Sequence, residues 1–153
     1  MFDEVADALR GMVPPELGEL RSRAHRYGIK AWFGTRDAPR EHYEAQVIGK
    51  EHVKAAKVLG IEVGFHAEHA KKAENEAVVA YLEAAEKRWR KTVGKEAVIG
   101  GFLGRSETWR RVSETWPDPD MSDPELAIEI AACLTDYMTA LEPVLRSRDP
   151  RRL

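Results

Sequence analysis

The sequence predicts an α+β protein in which a small, largely antiparallel sheet of three or four strands is packed on one face by a long helix and the terminal helices. Residues 41–48 and 61–68 alternate apolar and polar side chains, as strands with one buried face do. Most of the remaining chain either repeats its apolar residues at helical spacing or is interrupted by Gly and Pro. At 153 residues we expect one domain over 1–146 and a frayed basic tail over 147–153.

Composition excludes several classes of protein. The chain is 43% hydrophobic and 33% charged with a net charge of −2, so it has no general attraction to nucleic acid or to an anionic membrane. Its single cysteine, Cys133, allows no internal disulfide and fits a reducing compartment. No run approaches the ~18 apolar residues of a membrane span, and the acidic N-terminus is unlike a signal peptide. We therefore expect a cytoplasmic protein.

Two helices are predicted at the N-terminus. Apolar residues at i, i+3, i+4 and i+7 indicate a first helix from Phe2 that ends before Pro14. A second apolar stripe, together with Gly28 as a C-cap, predicts another helix from Pro15. The residues of that second stripe are Leu17, Leu20, Ala24 and Tyr27.

Three strands are predicted next, over 29–34, 41–48 and 61–68. The six-residue connection 35–40 suits an antiparallel link, because a parallel crossover needs a dozen residues or more. Residues 49–60 are predicted as a short helix or an irregular loop. Their length leaves open whether the second and third strands pair antiparallel or parallel.

The second half of the chain is predicted to be mainly helical. A long helix runs from Ala67 to Gly94, and a plain glycine-containing loop covers 95–104. Residues 106–116 favour a fourth strand over a helix because Thr, Val and Trp recur there. Ser122 and Glu125 have capping-box spacing before the last helix, which Pro143 should kink or end.

The polar face of the second and third strands holds the candidate functional residues. Alternation places one set of polar side chains together, opposite the apolar face. The set consists of His42, Glu44, Gln46, Glu62, His66 and Glu68. Three interpretations remain open: a solvated outer face, a polar pocket that binds a ligand or partner, and a metal site.

The metal hypothesis names Glu44, Glu62 and His66 as ligands, with Glu68 as a further one. Glu44 and Glu62 would approach each other if the two strands are neighbours in suitable register. Carboxylate oxygens suit Mg²⁺ or Mn²⁺, whereas more imidazole would favour Zn²⁺. The acid-x-Lys pattern of many metal-dependent nucleases is absent, since Gly64 stands where the lysine would be.

The resulting functional prediction is a non-catalytic domain that binds a small ligand or a protein partner and could form a homodimer through an apolar face or a sheet edge. No cofactor is required, and a divalent cation is the candidate ligand. One alternative is a metal-dependent, phosphoesterase-like hydrolase, although enzyme activity is the less favoured interpretation. The other alternative, also less favoured, is a nucleic-acid-associated protein that uses the basic region 21–57. It would need one continuous arginine face formed by Arg21, Arg23, Arg26, Arg36 and Arg40.

Overall fold

The computed structural model describes residues 1–152 and has an α+β architecture. These residues form four α-helices and one sheet of six strands, with all neighbouring strands antiparallel and in the order β1-β2-β3-β4-β6-β5. The helices are α1 (Phe2–Met12), α2 (Lys72–Ala84), α3 (Glu86–Val93) and α4 (Leu126–Arg148). The strands are β1 (Leu20–His25), β2 (Gly28–Phe33), β3 (Glu41–Gly49), β4 (Leu59–Ala67), β5 (Val98–Gly101) and β6 (Arg110–Pro117). Short 3-10 helices cover Pro15–Leu17 and Lys50–His52.

The core lies between one face of the sheet and the helices. Buried apolar residues of β2, β3, β4 and β6 form one cluster with those of α1 and α4. Tyr43, Phe65 and Val112 represent the sheet in this cluster, and Ile130 and Leu134 represent α4; all five have 0% exposure. The predicted α+β class and the helix-covered apolar face are confirmed.

The predicted number of strands was too small, because two strands were assigned to other structures. Residues 20–25 form β1 rather than the end of a second helix. The four-residue spacing of Leu20 and Ala24 fits a helix as well as a strand. The pairing of β1 with β2, from Leu20↔Phe33 to His25↔Gly28, selects the strand. Val98–Gly101, predicted as loop, forms the edge strand β5 by pairing with β6.

Other differences concern where the elements begin and end. The predicted long helix begins later, at Lys72, and is divided into α2 and α3 at Ala85. The predicted fourth strand exists as β6 and begins at Arg110. The capping box does not form, because Ser122 hydrogen-bonds to Asp120 and α4 starts at Leu126 without a side-chain cap.

The C-terminal helix continues further than Pro143 suggested. Pro143 lies inside α4, which extends to Arg148, so the first residues of the predicted basic tail are helical. Beyond the helix, the Arg152 guanidinium returns to Glu142, with Nε 3.0 Å from Oε1. Leu153, the last residue of the predicted tail, lies outside the described residues.

Candidate metal centre

The six predicted polar residues lie on the sheet face opposite the helices. Antiparallel pairing of β3 with β4 sets His42 opposite His66 and Gln46 opposite Glu62. The pairing of β2 with β3 adds Lys30 to the same face, opposite Glu44. The open question about β3 and β4 is thus resolved as antiparallel, and this register brings the histidines and acids together.

This polar face is buried although the helices pack on the other side. Exposure is 1% for His42, 5% for Glu44, and 0% for both Glu62 and His66. Part of the cover comes from Phe102, whose ring stands edge-on to the His66 ring with the centroids 5.3 Å apart. Phe102 in turn contacts Trp109, so aromatic side chains from both ends of the β5–β6 connection shield the histidine.

Four side chains converge on one point. His42, Glu44, His66 and Glu68 each offer one ligand atom, and these atoms all lie within 4.8 Å of one another. Glu44 Oε2 is 3.1 Å from His42 Nε2 and 3.2 Å from His66 Nδ1. Glu68 Oε1 is 3.5 Å from His42 Nε2 and 3.4 Å from His66 Nδ1. We call these four residues the His/Glu centre.

The outer nitrogen of each imidazole is held by an acceptor. His42 Nδ1 lies 2.9 Å from the Pro39 carbonyl oxygen, which can only accept, so this nitrogen carries a proton. His66 Nε2 lies 2.9 Å from Glu62 Oε1. When the imidazole protons are assigned from this hydrogen-bond network, each neutral ring presents a nitrogen lone pair to the centre.

Glu62 belongs to the surroundings of the centre rather than to its ligand set. Besides contacting His66, its carboxylate accepts hydrogen bonds from Ser113 Oγ at 2.7 Å and Gln46 Nε2 at 2.9 Å. Arg111 then donates to Ser113 Oγ at 2.8 Å. Of the predicted metal ligands, Glu44, His66 and the further candidate Glu68 are therefore in the centre, while Glu62 and Gln46 form a chain of hydrogen bonds behind His66.

Gly64 explains why no side chain separates Glu62 from His66 on this face. A Cβ at position 64 would come within 2.4 Å of the Val112 carbonyl oxygen and 2.5 Å of Ser113 Cα. Because backbone atoms cannot move aside as a flexible side chain can, only glycine allows β6 to approach so closely. This approach brings Ser113 within reach of Glu62.

Lys30 lies at the solvent side of the centre. Its ammonium nitrogen is 3.2 Å from Glu68 Oε2 and 3.7 Å from Glu44 Oε2, and the side chain is 33% exposed. It thus neutralises part of the carboxylate charge while remaining partly hydrated.

Mutual attraction shifts the pKa values of the centre in opposite directions. Burial favours neutral carboxyls, but hydrogen bonds from His42 and His66 outweigh it and lower the pKa of Glu44 to about 2. The pKa of Glu62 is also lowered, since the charge and hydrogen bond of His66 outweigh burial. Burial alone would lower the pKa of His66, yet Glu62 and Glu44 raise it well above its ordinary value. The pKa of His42 is raised for the same reason, through Glu44 and Glu68.

Sequence reasoning missed several residues that complete the site. Lys30 could have been found from strand parity, because it is a lone charge in an otherwise apolar strand. Phe102, Ser113 and Arg111 gave no such signal, since their approach depends on the pairing of β6 with β4. His69, three residues after His66, contacts Glu41 and not the centre.

Comparisons of the chain with protein-family models, with curated proteins and with solved structures find no match. Among residues 1–152, no helix combines the length and apolar character required to cross a lipid bilayer.

Proposed function

We propose that this protein is a non-catalytic metal-binding domain that holds one divalent transition-metal ion in the His/Glu centre. His42 Nε2, His66 Nδ1 and one oxygen each of Glu44 and Glu68 would be the ligands. The observation that carries the proposal is the convergence of these four atoms while both outer imidazole nitrogens are held by acceptors. Metal-bound histidines are oriented in this way, by a carbonyl or carboxylate on the nitrogen away from the ion.

The spacing of the four atoms suits a single ion. Ligand atoms about 2.1 Å from one ion are about 3.0 Å apart at right angles and about 3.4 Å apart at tetrahedral angles. The four imidazole–carboxylate distances range from 3.1 to 3.5 Å. The four atoms all lie within 4.8 Å of one another, so coordination of one ion would require the side chains to adjust.

Charge balance supports a bound cation. With neutral imidazoles, the carboxylates of Glu44, Glu62 and Glu68 exceed by one the positive charges of Lys30 and of Arg111, which reaches Glu62 through Ser113. A metal cation would offset this negative charge, and so would two extra protons on His42 and His66. The metal and the two protons should therefore compete for the same place, since ligand nitrogens must be deprotonated.

The ligand types narrow the choice of ion. Two imidazoles with two carboxylates suit Zn²⁺, Fe²⁺, Co²⁺ or Mn²⁺ better than Mg²⁺ or Ca²⁺, which prefer oxygen alone. Among ions of similar size the affinity should follow the general order for first-row metals, with Mn²⁺ weaker than Zn²⁺.

Enclosure favours binding over catalysis. The side chains of the four ligands are 0–9% exposed, whereas a catalytic centre keeps one coordination position open to water or substrate. Lys30 supports metal-dependent ester hydrolysis as the second candidate, because its partly exposed ammonium contacts two ligand carboxylates and could also meet an anionic substrate. The two functions share the ion and differ in turnover.

The test is a calorimetric titration of EDTA-treated, dialysed protein with Zn²⁺, Mn²⁺ and Mg²⁺. We expect one Zn²⁺ per chain and little response to Mg²⁺. In thermal unfolding of the same samples, Zn²⁺ should raise the midpoint by mass action. Glu44→Gln removes a ligand and should abolish stoichiometric binding. Glu142→Gln is the matched control: it neutralises a carboxylate that is 2% exposed and lies on the helix-covered side, so binding should be unchanged.

Glu62→Gln separates the surroundings from the ligands. This variant keeps the shape of the side chain but weakens its hold on His66 Nε2, and we expect a loss of about 10–100-fold in Zn²⁺ affinity with unchanged stoichiometry. Equal Zn²⁺ binding by wild type and Glu44→Gln would refute the metal centre. Turnover of bis(p-nitrophenyl) phosphate by the metal-loaded wild type but not by Glu44→Gln would replace the binding function with hydrolysis.

A further inference from the structure

A pocket lies along β1, the edge strand next to β2. Its volume is about 360 Å³, and half of its lining residues come from β1. Four arginines and one glutamate carry the charge of the lining. The lining residues on which the argument depends are Arg10, Arg21, Arg23, Arg36, Glu19 and Trp32. We call this the arginine pocket.

The arginines of this pocket are only partly neutralised. Arg10 pairs with Asp7, and Arg21 Nη2 lies 3.0 Å from Glu19 Oε1. Within residues 1–152, neither Arg23 nor Arg36 has a carboxylate within ion-pair distance. A pocket wall with two unpaired guanidinium groups attracts an anion, even though the chain as a whole has a net charge of −2.

Arg21 provides a second, independent observation. Its Nε–H is buried and has no hydrogen-bond acceptor among the described residues, although the guanidinium end reaches Glu19. Buried donors normally have a partner, and this one, on a residue that lines the pocket, lacks one among the described residues. Two parallel N–H groups of a guanidinium match two oxygens of a phosphate or carboxylate.

We propose that the arginine pocket binds a small oxyanion with two or more negative charges, of the phosphate class. The residues involved are separate from the His/Glu centre, so the proposal stands independently of the metal. Arg23 is opposite Lys30 in the β1–β2 register, and Lys30 is opposite Glu44 in the next, so β2 alone separates the pocket strand from β3, which carries part of the centre.

A compact anion fits these observations better than a nucleic acid. The predicted nucleic-acid face required five arginines in one continuous row. Only three of them, Arg21, Arg23 and Arg36, line this pocket, while Arg40 lines a different one. Arg26 lies over the Tyr27 ring, with its guanidinium carbon 5.3 Å from the ring centroid.

The test is calorimetric titration of the full chain with inorganic pyrophosphate in low-salt buffer containing EDTA, which keeps the His/Glu centre free of metal. We expect one pyrophosphate per chain. The double variant Arg23→Ala/Arg36→Ala should weaken binding by about 10-fold or more, because charge-assisted contacts are lost. The matched control, Arg26→Ala/Arg88→Ala, removes the same charge from exposed positions outside the pocket and should change the affinity less than about 3-fold.

Each alternative has its own readout. No binding of pyrophosphate, or equal weakening in both double variants, would overturn the proposal, because the attraction would then be diffuse. Titration with malonate, a dicarboxylate, tests whether the pocket prefers carboxylates. If malonate binds more tightly than pyrophosphate, the assignment to the phosphate class is overturned. The last arm uses a single-stranded oligonucleotide. If it binds with steep salt dependence, if both double variants weaken that binding equally, and if pyrophosphate does not bind, the proposal of an anion pocket is replaced by a nucleic-acid surface.

Discussion

The two faces of β3 are equally buried and are stabilised in different ways. Tyr43 and Ala45 face the helices at 0% exposure, while His42 and Glu44 face the other way at 1% and 5%. On the helix side, burial itself is favourable, because apolar surface leaves water. On the polar side, burial is tolerated only while charges and hydrogen bonds are matched. Alternation in the sequence thus produces two interiors with different requirements.

The helix side also contains a buried carboxylate, that of Glu142. Glu142 accepts a hydrogen bond from Tyr43 Oη at 2.7 Å and from Arg152 Nε at 3.0 Å, with Arg146 as a further donor. The arginines stay protonated at any ordinary pH, so this group remains paired. The His/Glu centre relies on His42 and His66, whose charge depends on pH and on metal.

The largest expected effect tests the apolar side. Leu134 is fully buried in α4, so Leu134→Ala should cost about 2–5 kcal/mol in the free energy of unfolding through lost contacts and a cavity. The same loss is expected with and without Zn²⁺, measured by urea denaturation. Ile128→Ala, in the same helix but 46% exposed, is the control and should change stability by less than about 0.5 kcal/mol. A Leu134→Ala loss that disappears in Zn²⁺ would show that the two sides are energetically coupled.

Strand parity was enough to predict which residues share the polar face. A period of two assigns His42, Glu44 and Gln46 to one side of β3, and Glu62, His66 and Glu68 to one side of β4, wherever the strands lie in the fold. The burial of this face could not be predicted, because it depends on the approach of β6 and on Phe102. Without knowledge of that burial, a solvated outer face remained one interpretation of the sequence. The sequence-based hypothesis also named Glu62 as a metal ligand and did not name His42.

The two strands that the sequence did not predict, β1 and β5, are the two edge strands of the sheet. Leu20–His25 carries Arg21, Arg23 and His25 on one side, and its two apolar residues, Leu20 and Ala24, are also spaced for a helix. Val98–Gly101 has only four residues and ends in two glycines, which local propensity assigns to a loop. Both become strands through pairing with a neighbour, which is a tertiary effect. The central strands, with longer alternation, were predicted correctly.

The next expected effect is that the free energy of unfolding changes with pH in opposite directions in the metal-free and the metal-bound protein. In metal-free protein, the raised pKa values of His42 and His66 mean that their contribution to stability is complete below 6.5 and is lost as pH rises through the folded-state values. The pKa of Glu44 is lowered to about 2, so its contribution is present above 4.5 and is lost as pH falls toward 2. Metal-free stability should therefore decline as pH rises above 6.5.

Zn²⁺ should reverse that trend, because the bound ion replaces the two protons and its affinity increases as the imidazoles deprotonate. Urea denaturation between about pH 5 and 9, in EDTA and in saturating Zn²⁺, measures both curves. Glu142→Gln should shift both curves without changing their slopes, since its arginine partners do not titrate in this range. Parallel curves for the two conditions in wild type would contradict the exchange of protons for metal.

The smallest expected effect separates affinity for metal from stability. Lys30 is one-third exposed, so Lys30→Met should change metal-free stability by less than about 1 kcal/mol. The same substitution removes the positive charge that competes with the ion for Glu44 and Glu68, and we expect Zn²⁺ to bind a few-fold more tightly. Lys30→Arg keeps the charge and is the control, with affinity close to that of wild type. Weaker Zn²⁺ binding in Lys30→Met would mean that Lys30 positions the carboxylates rather than competing with the ion.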